Sequence, residues 1–210
     1  LYAALGLHPI VIHQHDDAAL SILETALASA PEKCVAIGEI GLDLYMENPD
    51  FPRQEYILEG QLALARHYGL PVILHSRRTH DKLAWHLKRA ALSRTGVIHG
   101  FAGSLQQALR FVDLGYSIGV GGTITWPRAS KTRDVMARLP LASLVLETDA
   151  PDMPLQGWQG QPNRPERAAW VFDTLCQLRP EPPESIAQAL WDNSNRLFAL
   201  GLVSSSPGIE

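Results

Sequence analysis

The sequence predicts an α/β fold on a parallel sheet, a TIM-type (β/α)8 barrel of which six of the eight strands are visible. Three observations predict it. Short apolar runs alternate with longer amphipathic segments along the whole chain. The short runs are apolar throughout instead of alternating with polar residues, the pattern of strands buried on both faces. No block of hairpin-spaced strands interrupts the β-α order.

The strands read, in order, as LYAALGL (1–7), CVAIGEI (34–40), PVILHS (71–76), GVIHGF (96–101), YSIGVGG (116–122) and SLVLETD (143–149). The helices fill the gaps. Residues 16–30 follow a His-Asp-Asp stretch suited to an N-cap, and 52–68 stop at Gly69 with Pro71 beyond. Residues 79–92 follow the strand that carries His75, 104–114 open on Ser104 and close at Gly115, and 131–139 end before Pro140. A Gly/Pro/Gln-rich loop (151–161) then leads to helices over 164–178 and 183–200. One domain over 1–203 is expected, with a flexible tail over 204–210.

Composition narrows the function. The 210 residues are 46% hydrophobic and 19% charged, enough apolar material for a core. No apolar run reaches the roughly 18–20 residues of a membrane span. Cys34 and Cys176 have no CxxC spacing, so a reducing, cytoplasmic setting is expected, with both thiols in the core. The formal charge of −4 and the lack of a Lys/Arg run argue against a broad basic nucleic-acid surface. They leave room for an enzyme that meets phosphates through a bound cation. Neither GxGxxG after a strand nor GxxxxGK[ST] is present, and no obligate protein partner is evident.

The chemistry lies at the strand ends. Glu39 ends VAIGEI, His75 ends PVILH, His99 ends GVIH and Asp149 ends LVLETD. In a β/α barrel those ends converge on the active face. Two imidazoles and two carboxylates make a mixed N/O set suited to Zn, Mn or similar divalent ions. The gaps of 36, 24 and 50 residues match roughly one βα unit per 25–35 residues, the last spanning a strand without a ligand. Each residue alone has a plain reading, as a hydrogen-bonded histidine or a capping acid. Four together, buried without a cation, would cost several kcal/mol. His8, in GLHP, ends the first strand on the same face. After His75, Arg77 or Arg78 can grip a phosphate oxygen or can be solvated helix-start residues. His13, His15, His67, His80 and His86 read as surface residues. Trp126 reads as loop packing or as a stacking surface.

GLHP, AIGEIGLD, PVILHSR, VIHGF, GVGGTIT, LVLETDAP, NRP and NSNRLF, in this order, resemble the TatD family of metal-dependent deoxyribonucleases. The resemblance implies a hydrolase that cleaves DNA phosphodiester bonds, with one or two divalent ions (Zn, Mn or Mg) on Glu39, His75, His99 and Asp149. It implies that Asp149 works with a metal-activated water, that Glu39 bridges two ions, and that His8 and Arg77 meet substrate. The alternatives are a hydrolase of small amides, lactones or phosphoesters, or an inactive remnant. One departure stands out: the family carries an HxH pair at the end of its first strand. Here His13-Gln14-His15 has the letters but follows the GLHP loop. The strand before GLHP matches the family's third, so a chain lacking two βα units is expected. Such a sheet would have two open edges, poor folding when alone, and a weak metal site where HxH is missing.

Overall fold

The computed structural model describes residues 1–30 and 33–201, so the tail expected over 204–210 lies outside the described residues. Six strands form one sheet: β1 (Ala3–Leu5), β2 (Cys34–Asp43), β3 (Val72–Arg77), β4 (Gly96–Ile98), β5 (Ser117–Val120) and β6 (Leu144–Leu146). They lie side by side in chain order and every pair is parallel. This is the β/α arrangement expected, as an open sheet with β1 and β6 at its edges. Parallel neighbours need a crossover each, and a helix lies in every one of the five. These are α1 (Ala19–Ala28), α2 (Phe51–Tyr68), α3 (His80–Ala90), α4 (Leu105–Asp113) and α5 (Ser130–Arg138), with α6 (Ala168–Leu178) and α7 (Pro183–Phe198) after β6.

Local chemistry sets the helix ends. Asp50 accepts the Arg53 N–H ahead of α2, whose last turn closes on Gly69 at φ 63°. Ser104 and Gln107 form a reciprocal capping box at the start of α4. The helix after the His-Asp-Asp stretch begins only at Ala19 and has no side-chain cap. Asp16 instead accepts the Ala18 N–H within the turn ahead of it.

The core lies between sheet and helices. Ile37, Ile40, Leu42, Leu74, Ile98 and Ile118 from the strands are fully buried against Leu58, Leu83, Phe111 and Val135 from the helices. The closing NSNRLF stretch serves this packing. Asn193 donates to the Leu141 and Leu144 carbonyls at 2.9 and 2.8 Å and ties α7 to β6. Two histidines correct the sequence reading. His86 is 3% exposed and its two ring nitrogens meet Glu55 at 2.8 Å and Glu59 at 3.1 Å, joining α3 to α2. His80 is half-buried, edge-on to Phe101 at 5.0 Å. Cys34 and Cys176 are free and partly buried at the margin of the core. Among the described residues no helix is long and apolar enough to cross a membrane.

Candidate metal centre

The C-terminal rim of the sheet brings imidazoles and carboxylates together from separate βα units. His8 follows β1 and caps a short 3-10 turn (Pro9–Gln14), its Nδ1 accepting the Ile10 N–H at 3.0 Å. That bond places the ring proton on Nε2, which faces Glu39 Oε1 at 3.5 Å. Glu39 sits inside β2, where the pairing with β3 shifts register between Ile37 and Ile40. Gly41 pairs with His75 at a φ of 147°, and a Cβ there would lie 2.0 Å from the His75 carbonyl oxygen. Only glycine lets the strands approach so closely. His75 Nε2 bonds to Asp43 Oδ2 at 2.8 Å and its Nδ1 faces Glu39 Oε1 at 3.4 Å. A carboxylate holding one ring N–H leaves the other nitrogen its lone pair, the usual arrangement behind a metal-bound histidine.

His99 follows β4 and its Nε2 meets the same Glu39 oxygen. Its Nδ1 lies 4.0 Å from both Glu147 Oε2 and Asp149 Oδ1. Glu147 directly follows β6 and accepts the Gly100 N–H at 2.6 Å. A Cβ at Gly119 would lie 2.5 Å from its Oε1, so the ligand-free strand β5 makes room for this carboxylate. Asp149 stands on the following loop at φ 65°. Asn163, buried in the NRP stretch, holds that loop through bonds to the Thr148 and Met153 carbonyls at 3.3 and 3.1 Å.

Charge is concentrated here. Burial raises the Glu39 carboxyl, but the crowding imidazoles of His75, His8 and His99 outweigh it and hold the group well below the usual carboxylate range. Burial lowers His99, yet Glu39, Glu147 and Asp149 bring it up to about 9. Burial pushes Glu147 up to about 7 against the opposing charge of His99. Asp149 is also raised, by burial first. Glu39 Oε1 is buried among three ring nitrogens and no well-aligned hydrogen bond reaches it. A buried acceptor crowded by imidazoles fits a divalent cation, and the N/O donor set is of the kind Zn or Mn takes. Two groups of donors within 4.8 Å share Glu39: His8 with His75, and His99 with Asp149.

Glu39, His75, His99 and Asp149 therefore lie together, as expected, and His8 joins them. Arg77 does not; its guanidinium lies over the Tyr45 ring at 4.1 Å. Trp126 packs with Arg128 at 4.8 Å. Sequence reading missed Asp43 and Glu147. Both are letters of quoted motifs, GEIGLD and LETDAP. Their signal was present as an acid closing an apolar strand and as acids two residues apart.

The family model described as TatD related DNase matches residues 1–199. The chain is 69% identical over 198 residues to the metal-dependent hydrolase YjjV of Escherichia coli (strain K12), covering 94% of this chain and 76% of that protein. It is 34% identical over 207 residues to the 3'-5' ssDNA/RNA exonuclease TatD of Rahnella sp. (strain Y9602), covering 95% and 77%. The crystal structure of the Escherichia coli YjjV homologue superposes with a TM-score of 0.93 at 68% identity, over 95% of this chain and 77% of that one. A TatD family hydrolase structure from Entamoeba histolytica, at 21% identity, shares the fold with a TM-score of 0.81 over 94% and 74%.

Proposed function

The chain belongs to the TatD-related DNase family of metal-dependent hydrolases, and we propose that it cleaves DNA phosphodiester bonds at the cluster on the sheet's C-terminal rim. One observation carries this reading: imidazole nitrogens from three βα units point at a single buried oxygen of Glu39. Glu39, His75, His99 and Asp149 are the residues that would hold the cation. When bound, it would polarise the scissile phosphate and lower the pKa of an attacking water.

The chain's own groups then divide the work. Asp149 has a side chain 38% exposed, the most open of the cluster's carboxylates, and is placed to take the proton of the attacking water. Glu39 anchors both donor groups. Asp43, fully buried, holds His75 in the ligating orientation. His8 carries its proton on the nitrogen that faces the cluster, so it serves better as a donor to a phosphate oxygen than as a ligand. That favours the Glu39–His99–Asp149 group as the stronger ion site, with Zn or Mn suiting its nitrogen better than Mg. Two free thiols accord with a cytoplasmic setting.

The test is cleavage of single-stranded and duplex DNA with added Mn, Zn or Mg. Expected are cleavage that EDTA abolishes and that re-added metal restores, and a rate at least about 100-fold lower for Glu39→Gln. Hydrolysis of lactones or small amides without DNA cleavage, or metal-stimulated rates untouched by Glu39→Gln, would overturn the proposal.

A further inference from the structure

Just beyond the cluster, the chain leaving β2 exposes two large apolar side chains: Leu44 is 40% exposed and Tyr45 is 56% exposed. Exposed aromatics on loose loops are common and need no explanation. This one is held firmly. Asp43 Oδ1 accepts the N–H groups of Tyr45 at 2.7 Å and Met46 at 3.2 Å. Leu44 N–H donates to the Arg77 carbonyl at 3.0 Å. The buried Gln54 amide accepts from Asp43 N–H at 2.7 Å and donates to its carbonyl at 2.9 Å. The other oxygen of the same Asp43 carboxylate holds His75 at 2.8 Å. One buried carboxylate thus holds both the His75 ring and the backbone that carries Tyr45.

Two guanidinium groups gather on that ring, Arg77 at 4.1 Å and Arg78 at 4.6 Å from its centroid. Both arginines are exposed. Among the described residues neither side chain has a carboxylate or hydrogen-bond partner. Arg53, Arg110, Arg138, Arg164 and Arg179, by contrast, each pair with an acid. Arg78 sits at φ 57°, a left-handed conformation disfavoured for a residue with a side chain. In a chain of net charge −4, two unpaired cations and a pinned aromatic therefore lie next to a site that must take an anion. Single-stranded nucleic acid is recognised by this combination, a π-face for the base and cations for the backbone.

We propose that Tyr45, Arg77 and Arg78 form a subsite for single-stranded nucleic acid beside the metal centre, with a nucleobase stacked on the phenol ring and the guanidiniums on flanking phosphates. The inference rests on the nuclease reading for its location and extends it to the nucleotide next to the cleaved bond. Asp43 is a positioning residue that keeps subsite and cluster in register.

The test reads binding with hydrolysis switched off. The full chain is titrated in EDTA into a fluorescein-labelled dT oligomer and into an abasic oligomer of equal length, with anisotropy as the signal. The unmodified protein is expected to prefer dT by about 10-fold, the size of one stacked base. Tyr45→Ala should lose that preference while Tyr45→Phe keeps it. Arg78→Ala should flatten the dependence of log K on log salt by about 0.7, one phosphate on a single strand. Trp85→Ala is the control. Trp85 is also 46% exposed and carries cations, Lys82 at 5.0 Å and Arg89 at 4.4 Å, but on α3 and without the Asp43 link. It should leave both affinities unchanged. No preference for dT in the unmodified protein, a preference that survives Tyr45→Ala, or an equal loss from Trp85→Ala would each overturn the subsite. Mn-dependent cleavage of the same dT oligomer separates the two readings. Base preference without cleavage retains the subsite and loses the nuclease; cleavage indifferent to Tyr45 does the reverse.

Discussion

The molecule holds two histidine–carboxylate clusters, and they behave differently. At the joint between α2 and α3, His86 directs one ring nitrogen to Glu55 and the other to Glu59, with Lys82 also on Glu55 at 2.8 Å. The three donors there are spread over two carboxylates, Lys82 and His86 Nε2 on Glu55 and His86 Nδ1 facing Glu59, and both acids are partly open to solvent. At the sheet rim, several ring nitrogens converge on one oxygen, and three carboxylates stand around His99. The first cluster is satisfied as it stands; in the second, the buried Glu39 Oε1 that the imidazoles face is left without an aligned hydrogen bond. Histidine and glutamate content alone does not mark a metal site. Convergence on a point does, and strand ends in a β/α sheet supply it because adjacent parallel strands aim in the same direction.

The largest expected effect that would break this contrast comes from Asp43. Asp43→Asn keeps the shape but weakens the hold on His75 Nε2, and metal affinity should fall about 10- to 100-fold in a calorimetric titration. His86→Phe should leave that affinity unchanged. Equal losses from both would mean that the two clusters are not distinct.

The response to pH sharpens the contrast. His99 is raised to about 9 from 6.5, so its contribution to stability is complete below about 6.5 and is lost as pH rises through 9. Glu147 is raised to about 7 from 4.5, so the folded state binds its proton more tightly and stability falls as pH climbs from about 4.5 to 7. Both signs agree. The metal-free chain should melt at a progressively lower temperature from pH 5 to pH 9, and saturating cation should reverse the trend, since binding displaces the His99 proton. A calorimetric scan showing the metal-free chain more stable at pH 9 than at pH 5 would contradict the charge arrangement of the centre.

Smaller effects belong to the structural side. His86→Phe removes the buried ring's bond to Glu55 and its approach to Glu59 and should lower stability by about 1–3 kcal/mol in urea unfolding. Ser104→Ala deletes one half of the capping box on α4, worth about 1 kcal/mol, with no change in DNA cleavage. A loss of cleavage from Ser104→Ala beyond its effect on folding would show that the helix layer and the rim are coupled.

The order of elements, their type and the gathering of Glu39, His75, His99 and Asp149 at one rim were legible in the residues. Apolar, β-branched runs mark strands buried on both faces, and Ser104 and Gly69 mark helix ends through local hydrogen bonding and backbone freedom alone. The helix after Ala18 began later than its acids suggested, because Asp16 capped a turn instead. His86 and His80 were misread as surface residues because burial of a helix face depends on what packs against it. Asp43 and Glu147 stayed hidden because their partners, His75 and the Gly100 N–H, lie 32 and 47 residues away. The sequence by itself therefore determined which segments are strands, which are helices and which residue types reach the rim. The tertiary structure alone decided that Glu39 Oε1 is where the imidazoles meet, that β5 yields space to Glu147, and that Arg77 turns to Tyr45. Those outcomes depend on parallel register between distant strands, and register is a property of the assembled sheet, not of any one segment.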